Sequence, residues 1–81
     1  MIIKIYSKPN CIFCVNAIEA ANKIAAEDST VEVIVLKLYD DFDTPTMRAI
    51  FPDATTYPQI IVDDHKIGGW TEMQEELRIS A

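Results

Sequence analysis

The chain has 81 residues, with 13 acidic and 7 basic side chains and a formal net charge of −6. Hydrophobic residues make up 49% and charged residues 25%, proportions of a packed soluble domain and not of a disordered tail. The acidic excess argues against general nucleic-acid binding, which needs Lys and Arg at phosphates, and two cysteines are too few for a disulfide-dense scaffold.

Residues 2–6, Ile2-Ile3-Lys4-Ile5-Tyr6, are β-branched and aromatic and predict a strand. Ser7-Lys8-Pro9-Asn10 interrupts it. Cys11 then opens a segment free of Gly and Pro that extends to about Glu27. Cys14, Ile18, Ala21 and Ala25 recur there at helical spacing, with Ala17 and Ile24 alongside. Glu19 and Lys23 form an i,i+4 pair on the opposite face. Asp28-Ser29-Thr30 ends the helix. Residues 31–38 predict a second strand, and the unbroken apolar stretch 33–36 suggests cover on both faces.

An acidic loop, Tyr39-Asp40-Asp41-Phe42-Asp43, follows. Thr44 is expected to cap a short helix with Pro45 at its first position, and Pro52 stops it near Phe51. Residues 59–62 predict a third strand. Asp63-Asp64 makes a tight turn, and His65-Lys66-Ile67 returns as a fourth strand. Gly68-Gly69 breaks the chain before a last helix. Its expected start is Thr71, where Thr71 and Gln74 have capping-box spacing, and it is expected to reach about Ile79. The order is β-α-β-α-β-β-α, with a right-handed parallel crossover first and a hairpin last.

One domain over residues 1–81 is expected, with a small core and with its site on the surface at the end of an element. Met1-Ile2-Ile3-Lys4 carries no sign of a targeting leader, and the longest strongly apolar run is too short to span a bilayer. The expected location is the cytoplasm, where paired cysteines are more often catalytic or metal-binding than structural.

Cys11-Ile12-Phe13-Cys14 lies between a predicted strand and a predicted helix, the setting of a C-x-x-C redox motif. Unpaired N–H groups and the positive end of the helix dipole both stabilise a thiolate at Cys11. Cys14, one turn in, is within reach of a mixed disulfide formed on Cys11. Residues 1–22 carry a net charge of +1 and the remainder −7, so Lys8 brings positive charge to the cysteine end. The expected Cys11 pKa is below the roughly 8.5 of a free thiol. A structural disulfide is a poor alternative, because bridging residues so close together removes little chain entropy. A zinc site is another, but His65 is the one remaining soft ligand and stands on a different element.

Tyr57-Pro58 reads either as a plain strand start or as a cis peptide that opens the Tyr57 backbone to an extended substrate. Gly68-Gly69 reads either as a tight turn or as a close approach for a ligand before a helix start. Trp70 is expected to be a partly exposed wall. Met47 and Met73 are expected to fill core gaps, and His65 to be an ordinary strand residue.

Taken together, Lys8-Pro9-Asn10-Cys11-Ile12-Phe13-Cys14, Thr56-Tyr57-Pro58-Gln59-Ile60 and Ile67-Gly68-Gly69-Trp70-Thr71-Glu72 resemble the glutaredoxins, in order and over nearly the whole chain. The likeness is to the short dithiol members of bacteria and phages. It implies an α/β thioredoxin-like fold, a four-stranded mixed sheet flanked by three helices, with a cis Pro58. It implies Cys11 as nucleophile, Cys14 as resolving thiol, and glutathione as reductant in a groove beside them. The cysteinyl backbone of glutathione would pair with Tyr57, its γ-glutamyl end would meet Trp70, Thr71 and Glu72, and its glycyl carboxylate would approach Lys8. Phe13, Thr56, Pro58 and Gly69 complete the implied groove. No metal is expected.

The resemblance also implies a monomer acting on protein disulfides, ribonucleotide reductase among them. Three features depart from the family pattern. Ile12-Phe13 replaces the usual Pro-Tyr, Tyr57 replaces valine, and Glu72 replaces aspartate. Two other readings accompany the resemblance: a thioredoxin-like protein reduced by a flavin-dependent reductase, and a module holding an iron–sulfur cluster between two chains.

Overall fold

The computed structural model describes residues 1–79. Its elements are β1 (Ile2–Ser7), α1 (Ile12–Glu27), β2 (Glu32–Lys37), α2 (Thr44–Ile50), β3 (Gln59–Val62), β4 (His65–Gly68) and α3 (Trp70–Glu76). The sheet order is β2-β1-β3-β4. β1 runs parallel to β2 and antiparallel to β3, and β3 and β4 form the hairpin. The mixed sheet and three helices are those expected from the sequence.

The period of two along the central strands sorts side chains onto two faces. Ile3 and Ile5 of β1 pair with Val62 and Ile60 of β3. They pack with Ala17 and Ala21 of α1 and Met73 of α3 in an aliphatic core. Small alanines let α1 lie close on the sheet. Tyr6 points the other way and packs with Met47 and Phe51 in a smaller, aromatic core that includes α2. Both Met47 and Met73 are buried, as their expected gap-filling role requires.

Four local readings need correction. β2 is an edge strand, and its apolar stretch is only half-buried on average. An apolar run therefore marks partial cover on two faces here, not full cover. α2 is capped by Asp43, whose carboxylate accepts from the Thr46 N–H at 2.9 Å; Thr44 is already the first helical residue. A carboxylate one residue upstream outcompetes the hydroxyl because it is a stronger acceptor.

α3 begins at Trp70, not Thr71. Its cap residue is Gly69, whose N–H donates to Glu72 Oε1 at 2.8 Å. The glutamate half of a capping box is thus present without a side chain at the cap itself. α3 also stops at Glu76, short of Ile79. The chain leaves it through Arg78 at φ 54°, with Ile79 N–H bonded back to the Gln74 carbonyl at 2.8 Å. That backbone reversal is a Schellman ending. It returns Leu77 and Ile79 to the aliphatic core, which makes the sequence look helical beyond the real end.

The Asp63-Asp64 turn has φ of 48° and 69°, the positive pair that a two-residue hairpin needs. Asp63 further accepts from the Ile2 N–H at 2.7 Å, tying the hairpin to β1.

Candidate functional site

β1 is bracketed by β2 and β3, so the chain leaving Ser7 starts from the middle of the sheet. Ser7 is buried and its hydroxyl donates to the Leu36 carbonyl at 3.0 Å. Asn10, at φ 56°, turns the loop, and Cys11 caps α1. The Cys14 N–H donates to Cys11 Sγ at 3.2 Å. A backbone donor aimed at this sulfur favours charge on it, as does the helix start.

The two sulfurs are bonded to each other, with the Cα atoms 5.2 Å apart, inside the ordinary range for a disulfide. Their surroundings differ. Cys11 is half-buried, whereas Cys14 is 2% exposed. Between them, Ile12 and Phe13 are exposed. An outside reagent meets Cys11 first.

The Tyr57–Pro58 peptide is cis, the sharper of its two sequence readings. Pro58 is fully buried. The preceding loop is pinned by Gln59, whose amide donates to the Thr56 carbonyl at 3.0 Å. Tyr57 thereby faces the cysteines: its carbonyl oxygen lies 3.7 Å from Cys11 Sγ. Burial raises the Tyr57 phenol above its usual pKa, and the nearby Tyr39 adds to the effect.

The double glycine serves two separate needs. Gly68 has φ 109°, and a Cβ there would stand 2.8 Å from Glu72 Oε1. A Cβ on Gly69 would stand 3.3 Å from the Pro58 carbonyl oxygen. Glycine at 69 thus lets the start of α3 close on the Pro58 loop.

The expected groove residues fall into two groups. Phe13, Thr56, Tyr57, Gly69, Trp70, Thr71 and Glu72 surround one recess of about 200 Å³. Trp70 is half-exposed, the wall that was expected. Lys8, Cys11 and Cys14 line a second recess of about 710 Å³ together with Lys37, Leu38 and Asp40. Pro58 lines neither recess. Lys8 and Tyr57 join the two groups, with Lys8 Nζ 5.5 Å from the Tyr57 ring centroid.

Sequence reasoning missed Lys37 and Leu38 in the larger recess and Phe42 beneath Tyr57. Phe42 stacks on the Tyr57 ring, with centroids 6.5 Å and planes 21° apart. Its signal was an aromatic in an acidic loop, with no periodicity to give it a direction. His65 is exposed on β4, and among the described residues no three His, Cys, Asp or Glu side chains converge to hold a metal ion. No helix among them is long and apolar enough to cross a membrane.

The family model described as glutaredoxin matches residues 3–67. Glutaredoxin 1 of Salmonella typhimurium is 29% identical over 76 residues, covering 91% of this chain and 87% of that one. A glutaredoxin of Haemophilus influenzae is 26% identical over the same span and coverage. Reduced Escherichia coli glutaredoxin superposes with a TM-score of 0.84 at 25% identity, over 96% of this chain and 94% of that one. The oxidised form of that protein gives 0.82 at the same identity and coverage.

Proposed function

Because the chain belongs to the glutaredoxin family and is a dithiol redox protein, we propose that it exchanges disulfides at the expense of glutathione, with Cys11 as nucleophile and Cys14 as resolving thiol. The asymmetry of the pair carries this reading. Cys11 is accessible and receives a backbone N–H at 3.2 Å, while Cys14 is shielded and one helical turn away.

The Cys11 thiolate attacks one sulfur of a substrate disulfide, forming a mixed disulfide and expelling the other sulfur as a thiolate. Cys14, its proton lost to solvent, attacks Cys11 Sγ. That step releases the second substrate thiolate and leaves Cys11 bonded to Cys14. A glutathione thiolate then attacks Cys11 Sγ and frees Cys14. A second glutathione attacks the glutathione sulfur of that mixed disulfide, producing glutathione disulfide and the Cys11 thiolate. Two glutathiones are consumed per disulfide reduced, and atoms and electrons balance.

The smaller recess supports the placement of glutathione. It brings Tyr57, Trp70, Thr71 and Glu72 to one side of the cysteines. Tyr57 places its backbone carbonyl next to Cys11, and Lys8 supplies a cation for a carboxylate. Glu72 differs from the sequence reading in one respect: one of its oxygens is engaged by the Gly69 N–H, so it acts first as a helix cap. The reading extends to protein disulfides, with ribonucleotide reductase as the substrate suggested by the family, and to a monomer working in the cytoplasm.

The test is a pair of variants assayed with glutathione and its reductase. Cys14→Ser is expected to keep reducing glutathione mixed disulfides and to lose reduction of protein disulfides. Cys11→Ser is expected to lose both. Identical behaviour of the two would remove the role assignment. Turnover with thioredoxin reductase in place of glutathione would overturn the choice of reductant.

A further inference from the structure

Tyr57 reaches the site through its backbone and through its ring, and the ring has a task of its own. The ring centroid is 5.5 Å from Lys8 Nζ, within the reach of a cation–π contact. On the protein side the ring stacks on Phe42. Phe42 in turn meets Tyr6 edge-on at 5.2 Å, and Tyr6 meets Phe51 edge-on at 5.1 Å. Tyr6 and Phe51 are buried. The aromatic chain therefore runs from the packed core to the site surface.

Lys8 is the opposite kind of group. It is exposed, sits on the loop between β1 and α1, and carries a long flexible stem. A braced ring and a mobile ammonium are in contact, so the ring decides where the ammonium rests. Burial also raises the Tyr57 phenol above its usual pKa, which favours the neutral ring.

We propose that Tyr57 is a positioning residue that holds the Lys8 ammonium beside Cys11, ready for the carboxylate of an incoming glutathionyl group. The carboxylate half rests on the glutathione reading above; the Lys8–Tyr57 half does not. Without the ring, Lys8 would spread over its rotamers, and the cost of ordering it would fall on substrate binding. The ring acts through the Lys8 ammonium, so the effect is read chiefly in KM.

Tyr57→Leu and Tyr57→Phe, each alone and combined with Lys8→Gln, separate this role from simple bulk. Tyr57→Leu is expected to raise KM for a glutathione mixed disulfide about two- to fivefold, the size of an exposed cation–π contact, with kcat little changed. Tyr57→Phe keeps the ring face and is expected to restore the wild-type KM. In the Lys8→Gln background, Tyr57→Leu is expected to add nothing. An equal effect of Tyr57→Leu with and without Lys8 would overturn the proposal, as would failure of Tyr57→Phe to rescue.

A second readout is independent of glutathione. Ring current from Tyr57 is expected to move the Lys8 ε-methylene proton resonances upfield in wild type and Tyr57→Phe, and not in Tyr57→Leu. Absence of that shift in the wild type would overturn the positioning itself. A shift present in a protein that does not turn over with glutathione would uphold the positioning and overturn the glutathione reading instead.

Discussion

The two faces of the sheet are built from different chemistry. One is aliphatic: Ile3, Ile5, Ile60 and Val62 meet two helices through Ala17, Ala21 and Met73, nearly all without exposure. The other is aromatic and smaller, centred on Tyr6, Met47 and Phe51 beside a short helix. The first buries more surface and closes on itself. The second stays open at one end, where Phe42 and Tyr57 carry it to the cysteines. A small protein with little core to spare separates the two tasks. One face holds most of the buried core, and the other reaches the site through Phe42 and Tyr57.

Ile60→Ala tests that separation hardest. Ile60 is fully buried in the aliphatic core, and its truncation is expected to cost about 2–5 kcal/mol in urea denaturation. The alkylation rate of Cys11 in the fraction that remains folded is expected to be unchanged. A changed rate would mean that the faces are not independent.

Phe42→Leu addresses the aromatic face. Its expected cost is smaller, about 1 kcal/mol, because Phe42 is half-buried and leucine keeps much of its volume. Its expected signature is at the site: a raised KM for glutathione mixed disulfides and a weakened ring-current shift at Lys8. A loss of stability with no change at Lys8 would confine the aromatic cluster to packing.

The third prediction concerns α2, the helix on the aromatic face. The Asp43 carboxylate accepts hydrogen bonds from Thr46, which hold its pKa below the usual carboxylate value. A depressed folded-state pKa gives stability that is present above the unfolded value, about 3.9, and is lost as pH falls through the folded value. The wild type is therefore expected to melt above Asp43→Ala at neutral pH, with the gap narrowing in acid below about pH 4. A gap that is constant with pH would show that the charge on Asp43 contributes nothing.

The two faces were also unequally legible in the sequence. Aliphatic alternation in β1 and β3 and the helical spacing of Ala17 and Ala21 announce the aliphatic core, because each pattern has a period. The Cys11-Ile12-Phe13-Cys14 motif and the segments around Pro58 and Gly69 were equally readable, since each combines unusual residues at fixed spacing. The aromatic face has no such pattern: Tyr6 on β1, Phe42 between β2 and α2, and Phe51 and Tyr57 between α2 and β3 meet only after folding. Helix starts were displaced for a related reason. Several capping residues compete within a few positions, at Asp43 and Thr44 and again at Gly69, Thr71 and Glu72. Sequence spacing alone does not rank a carboxylate against a hydroxyl. The end of α3 was hidden because Ile79 keeps the helical spacing while the backbone has already reversed.

The burial of Cys14 has a consequence for survival under oxidants. A peroxide that reaches the accessible Cys11 leaves a sulfenic acid there, with Cys14 one turn away and shielded from the same reagent. The Cys14 thiol is placed to close on that sulfur and expel water, which would divert Cys11 from the irreversible sulfinic and sulfonic states. The product is the disulfide seen in the structure, a state the ordinary cycle already passes through. Shielding one sulfur thus keeps a partner thiol in reserve for the other.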